Sequence, residues 1–274
     1  MLRDREACAS YLSCVSADAA VNWSEDLEEL HRHSSGTHFL DRWTRAAILH
    51  EVEPALAPGH VVVDLGCSAG HLLEDLRVAC SGLVLVGLDL VAPGLAAAHQ
   101  RVPEALLLRA DAAAVPLDDE AVDAVVSANL LEHVEDDLGV LREARRILRP
   151  GGRAVFVVPY GRTLYDYYDA HLGHVRRYAL SELPRKAAAA GLRVVRRAGL
   201  GTLLYAPFWL RKKVNRLRIR SADDAERAAR VAHDISATQD SRVGLMLCAL
   251  EQGLFERGLS LPVGIRTLVV AVRD

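Results

Sequence analysis

Two acidic residues stand at the ends of apolar runs and are of the type that binds polar groups of a ligand. Asp64 closes the run VVVDL and is followed by Gly66 and Gly70, and Asp89 closes the run LVLVGLD 25 residues further on (89 − 64). A glycine-containing turn between a strand and a helix allows close backbone approach to a ligand, and the helix after it offers unpaired N–H groups. An acidic residue at the distance of Asp89 meets the requirement of a ribose diol. The pattern is typical of a site for a ligand that carries a ribose, and the alternative stays open that it is an ordinary turn between a strand and a helix.

The spacing of the glycines excludes one common ligand of this kind. A nicotinamide dinucleotide site needs G-x-G-x-x-G at this turn, whereas the chain has Gly66-Cys-Ser-Ala-Gly70, with Ser68 at the middle glycine position. The carboxylate of Asp64 would also repel a pyrophosphate. It suits a cationic or amino-bearing ligand instead, and the sequence argues against a nicotinamide-dependent oxidoreductase.

A second set of residues could handle protons and charged groups of a substrate. Its members follow the fourth and fifth apolar runs: Glu132, His133, Tyr160, His171, His174, Arg177 and Tyr178. Histidine deprotonates a hydroxyl near neutral pH, so His133 and His174 are the candidate bases, and Arg177 could clamp an acidic group. The alternative stays open that Glu132 and His133 cap the next helix and that His174 and Tyr178 hold a loop against the sheet.

The elements that must position these residues alternate between strand and helix. Apolar runs of the type found in buried parallel strands occur at 60–65, 83–89, 105–111, 122–129 and 153–159, with further candidates at 192–200 and 267–274. Segments with helix character lie between these runs at 70–80, 92–102 and 136–149. This alternation predicts an α/β protein with a mostly parallel sheet and helices on both faces.

The same alternation sets the expected domain boundaries. Residues 1–57 have the polar, helical character of an N-terminal cap, and residues 58–200 with 263–274 form the α/β core. Residues 201–262 lie between the last two strands and predict a helical insertion. Because the sixth strand ends on the ligand side of the sheet, we expect this insertion to roof the site.

Composition excludes several classes of protein. The chain has 274 residues, a formal charge of −3 and 51% hydrophobic residues, which is typical of a globular protein that binds no nucleic acid. Five cysteines without a CxxC pair predict neither a disulfide framework nor a zinc site and favour a reducing cytoplasm. The charged first residues predict no signal peptide.

The segment D-L-G-C-S-A-G resembles the first motif of class I S-adenosylmethionine-dependent methyltransferases, D-x-G-x-G-x-G, from which Ser68 departs. Further motifs of this family occur in the same order: GLDL, RADAAAVPL, ANLLEHVED and LREARRILRPGGRAVFVVP. Together they cover residues 61–159. The resemblance implies a Rossmann-like, seven-stranded sheet, S-adenosylmethionine as cofactor and S-adenosylhomocysteine as product.

The resemblance also assigns the residues that contact the cofactor. Asp89 takes the ribose hydroxyls and Asp111, with the next backbone N–H, meets adenine. The full set implied is Asp64, Gly66, Cys67, Ser68, Gly70, Asp89, Leu90, Asp111, Ala112 and Asn129. Some quinone-pathway relatives hold a divalent metal with a carboxylate three residues before the equivalent of Glu132; this chain has Asn129 there, so no metal is predicted.

The expected activity is methyl transfer to an oxygen or nitrogen of a bacterial small molecule, such as an antibiotic precursor. One alternative is a peripheral-membrane enzyme acting on a lipid-linked glycan or quinone, because six cations in residues 211–220 follow the apolar run 202–210. A helix face exposed to solvent is the commoner explanation of such a basic segment. A further alternative is a non-catalytic protein that binds S-adenosylmethionine. The oligomeric state stays open, a homodimer included.

Overall fold

The computed structural model describes residues 36–218, 231 and 241–274. Seven strands form one sheet in the order β3-β2-β1-β4-β5-β7-β6. The strands are β1 (Val61–Leu65), β2 (Val84–Asp89), β3 (Leu106–Arg109), β4 (Val122–Ala128), β5 (Leu148–Pro159), β6 (Arg193–Leu200) and β7 (Arg266–Val272). The first five strands are parallel, and β7 runs antiparallel between β5 and β6. The predicted fold class is confirmed.

Helices cover both faces of the sheet, and for this reason its central strands are apolar on both sides. The α-helices are α1 (Phe39–Val52), α2 (His71–Ala79), α3 (Ala92–Arg101), α4 (Asp137–Ile147), α5 (Tyr167–His171), α6 (Glu182–Ala189), α7 (Tyr205–Arg218) and α8 (Arg242–Glu256). Short 3-10 turns occur at Glu53–Ala55 and Arg162–Leu164. One core packs α1, α2, α3 and α8 on the sheet, and the second packs α4 and α6 on its opposite face.

Helices α1 and α8 pack against each other although they are far apart in the chain. Trp43 donates its indole N–H to Glu251 Oε1 over 3.2 Å, and its ring meets that of Phe255 edge-on with centroids 5.3 Å apart. The backbone N–H of Gly201, just after β6, also donates to Glu251 Oε1 over 2.8 Å. Because Glu251 joins these elements, the segment after β6 and helix α1 are held at one end of the sheet.

The expected N-terminal cap and helical insertion fall partly on the described residues. Within them lie α1, α7 and α8; the rest of these two predictions, at 1–35 and in most of 219–240, lies outside the described residues. No helix among the described residues is long and apolar enough to cross a membrane.

Candidate active site

The carboxyl ends of β1 to β4 meet at one edge of the sheet, where loops line a cavity of about 810 Å³. This is where open α/β sheets bind ligands. Seven of the residues predicted to bind the cofactor line it: Gly66, Ser68, Asp89, Leu90, Asp111, Ala112 and Asn129.

The loop after β1 is folded tightly against the end of β2. The backbone N–H groups of Gly66 and Cys67 both donate to the carbonyl of Leu88, over 2.8 and 3.0 Å. Gly66 has φ +79°, and a Cβ on it would lie 3.1 Å from the side chain of Leu130. Glycine therefore lets the chain turn here without closing the space between the loops after β1 and β4.

Asp89 connects two of the sequence motifs. Its Oδ2 accepts the backbone N–H of Ser68 over 2.8 Å, and its Oδ1 accepts that of Val91 over 2.9 Å. Ser68 is held at φ 41°, so this contact fixes the loop in a conformation that few side chains adopt. A carboxylate has about four acceptor sites, and Asp89 can accept further hydrogen bonds from a ligand in the cavity.

Asp111 and Asn129 complete the polar part of this wall. Asp111 Oδ1 accepts the N–H of Ala113 over 2.8 Å, which shapes the loop after β3. Asn129 has φ 55°, and its Oδ1 is buried without a hydrogen-bond partner among the described residues. Since a buried amide oxygen without a partner is costly, Asn129 is suited to accept an N–H from a molecule bound in the cavity.

Asp64, Cys67 and Gly70 lie behind the loop rather than on the cavity lining given by the described residues. Asp64 is buried, and burial, with the nearby charge of Asp89, raises its pKa to about 8. Cys67 packs on Gly87, where an added Cβ would lie 2.8 Å from the sulfur. Gly70, at φ +75°, allows close contact with helix α3, because a Cβ on it would lie 2.9 Å from that of Ala98. These predicted cofactor residues support the loop and do not line the cavity.

The turn after β4 and the segment after α5 bring a second polar group to the same cavity. The backbone N–H of Val175 donates to the carbonyl of Glu132 over 2.8 Å, which holds the two segments together. The rings of His133 and His174 meet edge-on with centroids 4.7 Å apart. Glu132, His133 and His174 all line the cavity, so both predicted bases lie at one place.

Asp169, which was not predicted as a site residue, holds this segment in position. Its Oδ1 is 3.0 Å from His174 Nδ1 and 2.6 Å from Arg177 Nε, and its Oδ2 is 2.7 Å from Lys212 Nζ. Burial by itself would raise the pKa of Asp169, but the hydrogen bond from His174 and the charges of Arg177 and Lys212 lower it overall. Asp169 is therefore ionised; a signal for it was an acidic residue five positions before a candidate histidine.

Burial favours the neutral forms of two cavity residues, His174 and Glu132. It lowers the pKa of His174, against the opposing effect of Asp169. It raises the pKa of Glu132 to about 8, and neither carboxyl oxygen of Glu132 has a hydrogen-bond partner among the described residues. Each group is neutral or needs a charged ligand to compensate it.

Lys212 departs from the expectation for the basic segment 211–220, a solvated or membrane-facing helix. Its ammonium is buried and contacts Asp166 Oδ1 at 2.7 Å, in addition to Asp169, and the carbonyl of Leu164 at 3.1 Å. It thus fastens helix α7 to the loop that carries His174. Lys213, next to it, is exposed.

Three residues predicted to bind substrate are not among the described residues that line the cavity. Tyr178 is fully buried in the core, with its hydroxyl 2.6 Å from Asp137 Oδ2 and 3.0 Å from the carbonyl of Leu131. Tyr160 packs its ring on Tyr205, and His171 ends the short helix α5. Tyr178 thus holds the segment against the sheet, the alternative left open above. Arg177 reaches the cavity but is bound to Asp169.

Helices from outside the predicted core complete the cavity. Residues of α7, α8 and the start of α1 contribute to its walls, among them Phe39, Leu40, Pro207, Phe208, Lys212, Val243, Gly244 and Leu247. The described part of the insertion therefore contributes to the cavity at the ligand edge of the sheet. Its apolar side chains give the cavity a second, less polar wall opposite the loops.

Comparisons with known proteins show that the chain is similar to methyltransferases. Residues 63–156 match the family model of a methyltransferase domain. A demethylmenaquinone methyltransferase of Mycobacterium sp. (strain JLS) is 35% identical over 138 residues, 49% of this chain and 55% of the relative. A probable S-adenosylmethionine-dependent methyltransferase of Mycobacterium tuberculosis is 28% identical over 141 residues, 51% of each chain. Residues 63–156 form a methyltransferase domain. The chain spans about half the length of these curated relatives.

Solved structures share the fold of this methyltransferase domain. The methyltransferase in a complex with the Haloferax volcanii Trm112 methyltransferase activator is 20% identical with a TM-score of 0.61, covering 92% of this chain and 99% of its own. Geranyl diphosphate C-methyltransferase from Streptomyces coelicolor A3(2) is 18% identical with a TM-score of 0.57, covering 94% of this chain and 88% of its own.

The cofactor of the methyltransferase domain is S-adenosylmethionine, and the residues of this cavity fit it. Asp89 presents a carboxylate for ribose hydroxyls, and the buried Oδ1 of Asn129 needs an N–H donor. A Cβ on Gly66 would lie 3.1 Å from the side chain of Leu130 and would crowd the cavity wall. Asp111 and Ala112 line the cavity next to these groups. These contacts are expected ones, and variants of Asp89 test the contact with the ribose.

Proposed function

We propose that this protein transfers a methyl group from S-adenosylmethionine to an oxygen or nitrogen of a small molecule, in a bacterial biosynthetic pathway such as that of an antibiotic. The observation that carries the proposal is the shared cavity. Cofactor-type residues after β1 to β4 and the polar cluster of Glu132, His133 and His174 line the same space of about 810 Å³. That volume lies within the upper range of small-molecule sites.

S-adenosylmethionine supplies an electrophilic methyl group, so that one displacement breaks its S–C bond and forms the O–C or N–C bond of the product. The part left to the protein is positioning, which by itself accounts for about 7–11 kcal/mol of such barriers. The loops after β1 to β3 hold the nucleoside end of the cofactor, and Asn129 accepts an N–H beyond it. Apolar side chains of α7 and α8 hold the acceptor and exclude water.

The cluster of Glu132, His133 and His174 is the place for the reacting atom of the acceptor. An oxygen or nitrogen that still carries its proton must lose it before or during transfer, and the two imidazoles and the carboxyl are the polar groups that the cavity offers there. His174 is oriented by Asp169 as a base is oriented by a neighbouring acid.

A second candidate acceptor is a prenylated quinone. The curated relatives include demethylmenaquinone methyltransferases, and helix α7 exposes Trp209 and Leu210 beside Lys213, an arrangement that suits a membrane surface. We expect a reducing cytoplasm as the compartment in either case, because the five cysteines of the sequence include no CxxC pair.

The test begins with cofactor binding by isothermal titration calorimetry, followed by a screen for S-adenosylhomocysteine formation with hydroxylated and amine small molecules and with quinones in detergent. Turnover with a water-soluble acceptor supports the proposal, and turnover with quinones alone supports the second candidate. A protein that binds S-adenosylmethionine and turns over no acceptor class would be a non-catalytic binding partner. Absence of cofactor binding would refute the proposal.

A further inference from the structure

Glu132, His133 and His174 form a cluster of potential metal ligands that make no hydrogen bonds to the Glu132 carboxylate. One carboxylate oxygen and one nitrogen from each ring lie within 4.8 Å of one another. Their positions come from two separate segments, the turn after β4 and the loop after α5. Neither histidine donates to Glu132, because both oxygens of Glu132 lack a hydrogen-bond partner among the described residues. The three ligands therefore converge on a common space.

The hydrogen bonds of the two rings decide which nitrogen of each ring carries the proton. His174 Nδ1 lies 3.0 Å from the carboxylate of Asp169, and His133 Nδ1 lies 3.3 Å from the carbonyl of Gly173. Since a carbonyl or carboxylate only accepts, the proton sits on Nδ1 of each ring and Nε2 carries the lone pair. Metal-bound histidines almost always donate their other N–H to a carboxylate or backbone carbonyl in this way.

The charges around the cluster leave Glu132 to be compensated. Arg177 and Lys212 are the nearby cations, and both are bound to Asp169, with Asp166 as a second partner of Lys212. Arg266, which also faces Glu132, is paired with Asp41 at 2.6 Å. Glu132 itself is fully buried. A buried carboxylate without a partner is strongly disfavoured, and a cation between the three ligands would remove this cost.

We propose that Glu132, His133 and His174 bind a divalent transition-metal ion. Two imidazoles and one carboxylate suit Zn²⁺, Fe²⁺, Co²⁺ or Mn²⁺, whereas Mg²⁺ and Ca²⁺ prefer sites made of oxygen ligands. The sequence predicted no metal because Asn129 stands where a carboxylate was expected; in the structure His174, from a distant segment, supplies the third ligand. The proposed site therefore differs from that of the quinone-pathway relatives, in which a carboxylate three residues before the equivalent of Glu132 binds the metal.

The ion would have open positions on the cavity side, since all three ligands line the cavity. Sites with two histidines and one carboxylate leave several coordination positions for substrate. We therefore assign to the ion the binding of an acceptor oxygen, so that the acceptor class is one with a hydroxyl or a pair of neighbouring oxygens. With the ion bound, His133 and His174 act as its ligands and not as bases. This assignment rests on the proposed methyl transfer, whereas the metal site itself does not.

The experiment is a titration of chelator-treated protein with Co²⁺, followed by visible absorption and calorimetry. We expect about one Co²⁺ per chain and the d–d bands of an imidazole-ligated ion. His133→Ala and His174→Ala should abolish the bands, and Asp169→Asn should weaken binding about 10- to 100-fold by freeing the His174 ring. His171→Ala is the matched control, because it removes a histidine three residues from His174 that lies outside the cluster, and it should leave the titration unchanged.

S-adenosylmethionine affinity and circular dichroism of each variant are measured in parallel. Where a variant fails to fold, X-ray absorption of the Co²⁺-loaded wild type counts imidazole ligands directly, and two support the site. No Co²⁺ binding, binding unchanged in both histidine variants, or no imidazole ligand would overturn the metal site while leaving the methyltransferase proposal intact. Co²⁺ binding at this site without any S-adenosylmethionine binding would support the metal site and refute the methyltransferase proposal.

Discussion

The hydrogen bonds of Asp89 make it the position where a single substitution tests the cofactor site most directly. Asp89→Ala removes the acceptor for the N–H groups of Ser68 and Val91, at 2.8 and 2.9 Å, and removes the carboxylate that faces the cavity. Asp89→Asn keeps one oxygen acceptor and the shape of the side chain. Comparing the two separates the charge from the support of the loop.

The expected loss of affinity follows from the number of hydrogen bonds. A hydrogen bond to a charged group contributes about 1.5–3 kcal/mol, and each factor of ten in affinity corresponds to about 1.4 kcal/mol. Loss of one such bond to a ribose hydroxyl therefore weakens S-adenosylmethionine binding by about 10- to 150-fold. Asp89→Ala also releases the Ser68 loop, so its loss should lie at or above the upper end, with Asp89→Asn nearer the lower end.

The assay is isothermal titration of S-adenosylmethionine and S-adenosylhomocysteine into the wild type and both variants. Asp118→Ala serves as the control, because Asp118 is exposed and is not among the described residues that line the cavity. The unfolding midpoint of each protein shows that the fold is kept. Equal affinity of the wild type and a folded Asp89→Ala protein would refute the ribose contact and with it the orientation of the cofactor.

Three further outcomes are expected. Gly87→Ala should lower the free energy of unfolding by about 1–3 kcal/mol in urea denaturation, since its Cβ would lie 2.8 Å from three side chains; an unchanged midpoint would contradict this packing. Lys212→Met should lower the free energy of unfolding by about 3 kcal/mol in the same urea denaturation, because it leaves the buried Asp169 without one of its cations. Lys213→Met, at the exposed neighbour, should leave the free energy of unfolding nearly unchanged. Equal effects of the two substitutions would contradict the buried ion pair. Asp64 keeps its proton in the folded state up to about pH 8 but loses it near 3.8 when unfolded, so its contribution to stability should fall as pH rises between these values. Asp64→Asn should flatten that part of the stability profile, and an unchanged slope would contradict the shift.

The order of strands and helices in the core could be predicted from the chain alone, because each element has a local signal. The β1 run VVVDL is buried at every residue, as expected of a strand covered on both faces, and the turn residues after it are glycines. The cofactor loops follow, since parallel strands bring their carboxyl ends to one edge. For the same reason Asp89, Asp111 and Asn129 were expected at the cavity and lie there.

Contacts between distant segments could not be predicted in this way. Nothing local in the sequence shows that His174 meets Glu132, because their proximity depends on the backbone bond from Val175 to the carbonyl of Glu132. Tyr178 and His171 are polar ring residues close to His174 in the sequence and were predicted as site residues with it. In the structure Tyr178 is buried in the core, and His171 is not among the described residues that line the cavity. The face that each residue presents is set by tertiary packing.

The buried charges show the same division. Lys212 and Lys213 are chemically identical neighbours, and their sequence context predicts a solvated helix face for both. In the folded protein Lys212 is buried with Asp166 and Asp169, and its neighbour is exposed. Residue type and spacing specify the sheet and the cofactor loops because those depend on local backbone and hydrophobic patterns. The partner of a buried charge depends on which distant segments the completed fold brings into contact. The order of the residues along the chain does not show these contacts.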